Sequence, residues 1–298
     1  KARLVSGEVE QTRHQDYVFS QSDKSQNYIL TCSNTATTDL TLETEEAVSV
    51  DDIPLQTLIT KVKKVDQSNE HVIILTLKSA RSQRLRFLAG QHIKLTLDDH
   101  NDENNQPLNA EYSIASCPCD ASSVEFHIPV KQDSPFSSAI MHHLKNTENV
   151  TLNGPMGSFV LDEDSPNSLI FIAWDTGFAA IKSLIEHAMS LDHAQSVHLY
   201  WITTKTENHY LNNLCRSWND ALDNFTYTPL LCEAKTEVVA DSLMQHLYKE
   251  HSHLLNFDLY IAAPGHLNQV LKPLLTAHGV KGQNMHFEST FHGDEIND

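Results

Sequence analysis

What this chain lacks bounds it before any motif does. Among its 298 residues no apolar run approaches the roughly 18–20 residues that a membrane-spanning helix needs, so no membrane span is expected. Positive charge is short: 21 Lys plus Arg stand against 39 Asp plus Glu, a formal net charge of −18. Gripping a phosphate backbone takes Lys/Arg patches, so nucleic acid is set aside as a partner. A solvated acidic surface accounts for the balance; docking of a basic partner is the other reading of it. The opening KARLVSGEVE has no apolar centre of the signal-peptide kind, and it has no initiator Met, as expected of a fragment or a processed product. Cysteine is sparse too. Cys32, Cys117, Cys119, Cys215 and Cys232 are odd in number and scattered, which suits a reducing cytoplasm. Internal repeats and low-complexity tracts are missing as well.

What is present falls into three regions. Hydrophobic residues make up 40% of the chain, enough for the cores of two or three domains of ordinary size. Residues 1–48 are polar, with short apolar stretches ARLVSG and YILTC and an alternating DLTLE; VSVDDIP (Val48 to Pro54) then reads as an exposed linker. Residues 55–164 carry strand-sized alternating runs (LITKVKKV, VIILTLKS, QHIKLTL, EYSIAS, VEFHIPV, VTLNG), the pattern of an antiparallel barrel or sandwich. One helical stretch, FSSAIMHHLK, interrupts them. From 165 to 298 strands and helices alternate: SLIFIA, GFAAIKSLIEHAM, VHLYWIT, HYLNNLCRSWNDAL, FTYTPLL, DSLMQHLYKEH, FDLYIAA, HLNQVLKPLLTAHG. That order predicts a doubly wound α/β domain with a parallel sheet covered on both faces.

A barrel followed by such a domain suggests a flavin domain joined to a nicotinamide domain, and six motifs carry this further. FLAGQHIKLTL (Phe87 to Leu97) resembles the "PGQ" strand of the ferredoxin–NADP reductase superfamily. EYSIAS (Glu111 to Ser116) resembles its flavin segment R-x-Y-S-x-x-S, and NGPMGSFVL (Asn153 to Leu161) its GP-x-G-x-F turn. SLIFIAWDTGFAAIKSLI is similar to the AGGTG strand–turn–helix, DLYIAAPGHL to the "CGP" segment, and HFESTF to the acidic-aromatic end. VEFHIPV and FSSAIMHHLK resemble the flavin reductases within that superfamily. The N-terminal part resembles the portion of a plant-type ferredoxin module, a β-grasp fold, that contains the fourth cluster cysteine.

The resemblance implies a set of site residues. Tyr112 would pack on the isoalloxazine face and Ser113 would place its hydroxyl near N5, while Ile128 to Val130 would run beside the flavin edge. Ser137 and Ser138 would donate at a helix N-terminus toward a phosphate. Thr176 and Gly177 would meet the nicotinamide, with Pro264 and Gly265 lining the nucleotide cleft. Glu288 and Phe291 would stand near the ring stack; Ser113 and Glu288 are the candidate catalytic pair. Cys32 would be the fourth [2Fe–2S] ligand, in a longer form whose upstream sequence, C-x4-C-x2-C, supplies three more. As it stands the chain would hold no cluster. The cofactors implied are FAD, held weakly or used as substrate, and NAD(P)H.

Departures from the family pattern are equally specific. The family's Arg falls at Ala110, which cannot form charge-assisted bonds to a flavin phosphate. Asp133 and Ser134 stand where a glycine is expected. In FIAWDTGFAA, Trp174 and Asp175 replace glycines of a phosphate-approaching turn, and Asp175 has the wrong sign for a pyrophosphate. Thr203, Thr204 and Lys205 offer no Arg for a 2′-phosphate, which leans toward NADH. The expectation is an oxidoreductase passing electrons from NAD(P)H through flavin to an iron–sulfur centre or small acceptor, with a redox protein or oxygenase component as partner. The alternative is a degenerate, non-catalytic relative acting as a binding or scaffold protein. Cys117 and Cys119 lack the CxxC redox spacing and read as ordinary loop or strand residues. His246, His251 and His253 do not share a helix face, so spacing predicts no metal site among them.

Overall fold

The computed structural model describes residues 2–12, 19, 21–43, 49–80, 84–119, 123–191, 194–232, 236–251 and 253–290, without the side chain of Cys32. The chain forms two compact units, Lys1–Ile53 and Pro54–Asp298. The first contains β1 (Ala2–Ser6), β2 (Val9–Gln11), a helical turn α1 (Gln21–Ser25), β3 (Tyr28–Ile29), β4 (Asn34–Ala36) and β5 (Thr41–Glu43). β1 lies antiparallel between β3 and β5, and β2 pairs with β4. Among its described residues only Ala2, Ser33 and Ile53 are buried, a thin core for a unit of this size. The expected linker is ordered at its end: Ser49 and Asp52 cap each other around a 3-10 turn, and Ile53 is buried.

The second unit begins with a six-stranded antiparallel sheet. Its elements are β6 (Gln56–Gln67), β7 (Val72–Lys78), β8 (His92–Asn101), β9 (Pro107–Ser113), β10 (Val124–Pro129), α2 (Pro135–His142) and β11 (Asn149–Met156). The spatial order is β10-β7-β6-β11-β8-β9. Alternation makes the core: Ile93, Leu95 and Leu97 of β8, Ile73, Leu75 and Leu77 of β7, and Phe126 and Ile128 of β10 all point inward. A bridge between Ile114 and Phe126 brings the end of β9 back to β10, which curls the sheet into a half-barrel.

The remainder alternates as expected: β12 (Ser168–Trp174), α3 (Phe178–Leu191), β13 (Val197–Thr203), α4 (Asn212–Ala221), β14 (Phe225–Leu231), α5 (Thr236–Glu250), β15 (Phe257–Ala263), α6 (Gly265–Ala277) and β16 (Met285–Ser289). All five strands are parallel, in the order β14-β13-β12-β15-β16. Leu169, Phe171 and Ala173 of β12 pack with α3, while Ile170 and Ile172 pack with α5 and α6. Burial on both faces is why these strands read as unbroken apolar runs. Helix α5 starts at Thr236, five residues before the expected DSLMQHLYKEH, because Val239 and Ala240 add to its buried face.

Residues of the family-like motifs lock the edge of the half-barrel together, and Ala89, Phe159 and Leu161 pack into the core around β12 and α3. Gly90 has φ +91°, and a Cβ there would lie 2.0 Å from the Phe159 carbonyl oxygen, so only glycine permits that approach. Beside it the buried Gln91 accepts from the Leu88 N–H at 2.8 Å and donates to the Gly157 carbonyl at 3.2 Å. No helix among the described residues is long and apolar enough to cross a membrane.

Candidate active site

The C-terminal ends of β12, β15 and β16 face the ends of β8, β9 and β10 across an open cleft. Tyr112, Ser113 and His127 line it from the half-barrel, and Thr176, Gly177 and Glu288 from the parallel sheet. Those two groups are far apart in sequence; the fold brings them together.

The turn after β12 explains its own composition. Trp174 is half-buried and packs against the apolar cluster on the α5–α6 side, and it does not line the cleft. Asp175 has φ +43°, an uncommon left-handed conformation for a residue with a side chain. Its carbonyl accepts from Trp201 Nε1 at 3.0 Å, and its carboxylate accepts from the Asn208 amide at 3.4 Å. Burial raises the Asp175 pKa, against the lowering effect of Asn208. The aspartate is thus held by the protein's own donors and is not among the residues lining the cleft. Gly177 is required by proximity: a Cβ there would lie 2.4 Å from the Ala262 carbonyl oxygen and 2.8 Å from Thr290 Cγ2.

Two polar arrangements at the cleft escaped the sequence reading. His92 Nδ1 lies 3.6 Å from Glu288 Oε1, an ion pair too long for a hydrogen bond. The Glu288 carboxylate holds the His92 pKa above its ordinary value in spite of burial. The second is a chain through the seam. His127 Nδ1 meets the Tyr210 hydroxyl at 2.8 Å, and its Nε2 meets Glu125 Oε1 at 3.1 Å. Lys182 Nζ pairs with Glu125 at 3.3 Å and Glu186 at 2.8 Å, and donates to the Ala115 carbonyl at 3.1 Å. Burial lowers the His127 pKa and outweighs Glu125, so the ring is neutral. Burial alone would raise Glu125, but His127 and Lys182 reverse this and bring it down to about 2. With Glu125 accepting from Nε2–H, Nδ1 is left to accept from Tyr210.

The other expected residues are distributed as follows. Tyr112 packs on Phe136 with ring centroids 5.6 Å apart, and burial pushes its phenol pKa up. The Ile128 side chain is fully buried in the half-barrel core, and Val130 packs against that core; their neighbours His127 and Pro129 line the cleft. Ser137 is buried, and its hydroxyl bonds Lys131 and Ser134 backbone atoms, while Ser134 caps α2 by accepting from the Ser137 N–H. Ser138 is exposed, and its N–H is used by the Ser134 carbonyl. Pro264 caps and Gly265 opens α6, close to Ser289 at the cleft rim. Asn268 ties this corner together by donating to the carbonyls of Ala263 and Glu288, both at 3.0 Å. Phe291 lies outside the described residues, as does the Cys32 side chain. One reading is corrected: Cys117 and Cys119 are joined in a disulfide rather than standing as ordinary separate residues.

The residues suit the ring end of a flavin. Two buried polar atoms of the cleft, His92 Nδ1 and Thr290 Oγ1, have no hydrogen-bond partner within the protein. Such atoms are costly to bury unless something completes them. At the phosphate end the fit is poorer, because Ala110 packs against the half-barrel core and offers no side-chain donor.

Known proteins share the domain type and the fold. Residues 59–161, covering nearly all of the curled sheet, match the family model described as "Oxidoreductase FAD-binding domain". The chain carries a ferredoxin–NADP reductase-like FAD-binding domain. A Yersinia pestis protein named CDP-6-deoxy-L-threo-D-glycero-4-hexulose-3-dehydrase reductase is 28% identical over 231 residues, spanning 78% of this chain and 67% of that one. The propane 2-monooxygenase reductase component of Gordonia sp. (strain TY-5) is 20% identical over 297 residues, or 97% of this chain and 84% of that protein. Among solved structures, a Neisseria gonorrhoeae ferredoxin NADP+ reductase with bound FAD and NADP superposes with a TM-score of 0.66 at 15% identity, covering 79% of this chain and 99% of that one. Beside the FAD-binding domain, the parallel sheet completes the two-part fold of these reductases.

Proposed function

We propose that this chain is an NAD(P)H-dependent flavin oxidoreductase that passes electrons to an iron–sulfur centre or a small acceptor. The observation that carries this is the cleft where Tyr112 and Ser113 of the FAD-binding domain face Thr176, Gly177 and Glu288 of the parallel sheet. The flavin supplies hydride and electron chemistry; the protein supplies placement and electrostatics. Tyr112 offers an aromatic face and Ser113 a hydroxyl toward the ring. Thr176, Gly177 and the α6 start at Pro264–Gly265 form the nucleotide side, at the strand C-termini where such sheets bind ligands. Glu288 raises the His92 pKa and so favours positive charge beside the ring. Ile128 to Val130 carries the backbone along the flavin edge, and Phe291 belongs to the same stack. Ser137 and Ser138 mark the helix end nearest the diphosphate.

The domain plan that goes with this reading is 1–48 as a partial ferredoxin-like segment, 55–164 as flavin domain and 165–298 as nicotinamide domain. Cys32 then belongs to a [2Fe–2S] centre completed only in a longer form. The proposed partner is an oxygenase component or other redox protein, since the Gordonia relative is named for that role. A cytoplasmic setting fits NAD(P)H as donor. The reductase names of the relatives favour catalysis over the non-catalytic alternative. Ala110 favours one further refinement: flavin is bound loosely and exchanged like a substrate.

The test is an NAD(P)H oxidation assay with purified protein and added FAD, with flavin fluorescence followed in parallel. Saturable quenching and flavin-dependent oxidation are expected. Absence of both at high flavin concentration would refute the proposal.

A further inference from the structure

The parallel sheet has a second polar cluster at the end away from the cleft. His198 is the second residue of β13, so it lies roughly 16 Å along the strand from Thr203 at the cleft-side end. It is buried. Glu250 closes α5 and His251 follows it. The ligand atoms that these three side chains offer all lie within 4.8 Å of one another. Sequence spacing could not show this, because His198 arrives from another strand, some fifty positions earlier, to meet two adjacent residues at a helix end.

We propose that His198, Glu250 and His251 form a transition-metal site, with Zn²⁺ the ion it fits best. Two imidazoles and one carboxylate make a donor set that Zn²⁺ accepts, and three protein ligands leave the fourth tetrahedral position to water or a small exogenous ligand. Zinc–ligand distances near 2.0–2.2 Å put tetrahedral donor atoms about 3.4 Å apart; His198 Nε2 and Glu250 Oε2 already stand 3.3 Å apart, and the remaining side chain closes inward on them. The surroundings have the supports such sites use. The buried Tyr200 hydroxyl donates to Glu250 Oε2 at 2.8 Å and lies 3.1 Å from His251 Nε2, and its ring stacks on His198 with centroids 4.1 Å apart. Thr228 Oγ1 stands 2.8 Å from His198 Nε2, a hydrogen bond that an ion at that nitrogen replaces. The C-terminus of α5 adds the negative end of a helix dipole, which favours a cation. Glu250 is exposed, which gives an ion a way in. A bound ion would clamp the end of α5 to β13 without touching the flavin cleft.

The experiment uses the full chain, stripped with chelator, titrated with Zn²⁺ against a chromophoric competitor and separately with Co²⁺ as a spectroscopic probe. One equivalent should bind ahead of the remaining histidines, raise the melting temperature, and give Co²⁺ d–d bands of low coordination without a thiolate charge-transfer band. Glu250→Gln and His251→Asn, both outside the sheet interior, should each weaken that equivalent at least about tenfold, and Tyr200→Phe should weaken it about 10–100-fold by loosening the carboxylate. Unchanged affinity in Glu250→Gln and His251→Asn overturns the proposal, as does a thiolate band, which would place the ion at cysteine. A failure to bind any distinct first equivalent reduces the cluster to a hydrogen-bonded helix end and overturns it equally.

Discussion

His127 and Tyr210 meet across the seam between the curled sheet and the parallel sheet, imidazole Nδ1 to phenol oxygen at 2.8 Å. His127 is buried and Tyr210 half-buried at a junction that also holds Glu125 and Lys182, and the two rings meet edge to face with centroids 5.3 Å apart. The contact joins the two halves of the cleft, so it sets the geometry in which flavin and nicotinamide sides face each other. Tyr210→Phe keeps the ring and removes the donor. It should destabilise the protein by about 1–3 kcal/mol, the cost of leaving a buried acceptor unpaired. Urea unfolding of the variant against the parent measures this.

The same histidine sets a pH dependence. Burial depresses its folded-state pKa, against the raising effect of Glu125 and with a further lowering from Lys182. Protons therefore bind the unfolded state first. The stability linked to His127 is complete above the ordinary histidine value of about 6.5 and is lost as pH falls through the lower folded value. Glu125 follows the same sense further down, its contribution lost from about 4.5 toward about 2. Urea midpoints should fall as pH is lowered from about 7.5 to about 5, and His127→Gln should flatten that fall. An equal slope in the variant would assign the effect elsewhere.

Gly177 shows how backbone approach limits substitution in this turn. Its missing Cβ would sit 2.4 Å from a backbone carbonyl of β15, which cannot swing aside like a side-chain end. Gly177→Ala should cost about 1–3 kcal/mol as overpacking and should widen the cleft on its nicotinamide side. We expect a raised KM for NAD(P)H with a smaller change in flavin affinity, measured by steady-state kinetics and fluorescence titration on the same preparation.

Glu288 and His92 form the titratable pair nearest the proposed ring site. Removing the carboxylate charge with Glu288→Gln should bring the His92 pKa down, because that carboxylate is the first cause of its elevation. With a raised folded pKa, the pair stabilises the protein fully below the ordinary histidine value of about 6.5 and loses that contribution as pH rises through the folded value. The variant should lose this, and the alkaline limb of its NAD(P)H-oxidation profile should move to lower pH. NMR titration of the His92 ring gives the direct check; an unmoved pKa would separate the two residues functionally.

Much of this was legible in the sequence because each signal was local. Alternation in QHIKLTL and unbroken apolar runs such as SLIFIA report burial on one face or two, and the motif order places flavin and nicotinamide halves. The cleft residues Tyr112, Ser113, Thr176, Gly177 and Glu288 were reachable through motif resemblance. What stayed hidden depends on long-range pairing: His127 with Tyr210, His92 with Glu288, and His198 with His251 are 83, 196 and 53 positions apart, so no window contains both partners. Trp174 and Asp175 were misleading for a related reason. Letters alone place both at a phosphate-binding turn, whereas the backbone sends the indole to the α5–α6 face and secures the carboxylate on Asn208.

Ala110 is the departure with the clearest consequence. It pairs with Leu95 across β9 and β8 and packs on the half-barrel core, so the strand that carries Tyr112 brings no cation toward the flavin phosphates. Restoring the family residue with Ala110→Arg supplies a planar donor set suited to phosphate. Each charge-assisted hydrogen bond contributes about 1.5–3 kcal/mol, and about 1.4 kcal/mol is tenfold in affinity. FAD should therefore bind at least about tenfold tighter, while riboflavin, which has no phosphate, should bind unchanged. Fluorescence quenching with both ligands distinguishes a phosphate contact from general repacking. Equal tightening of both would mean that the arginine acts on the ring pocket, and no tightening of either would mean that Ala110 does not face the diphosphate.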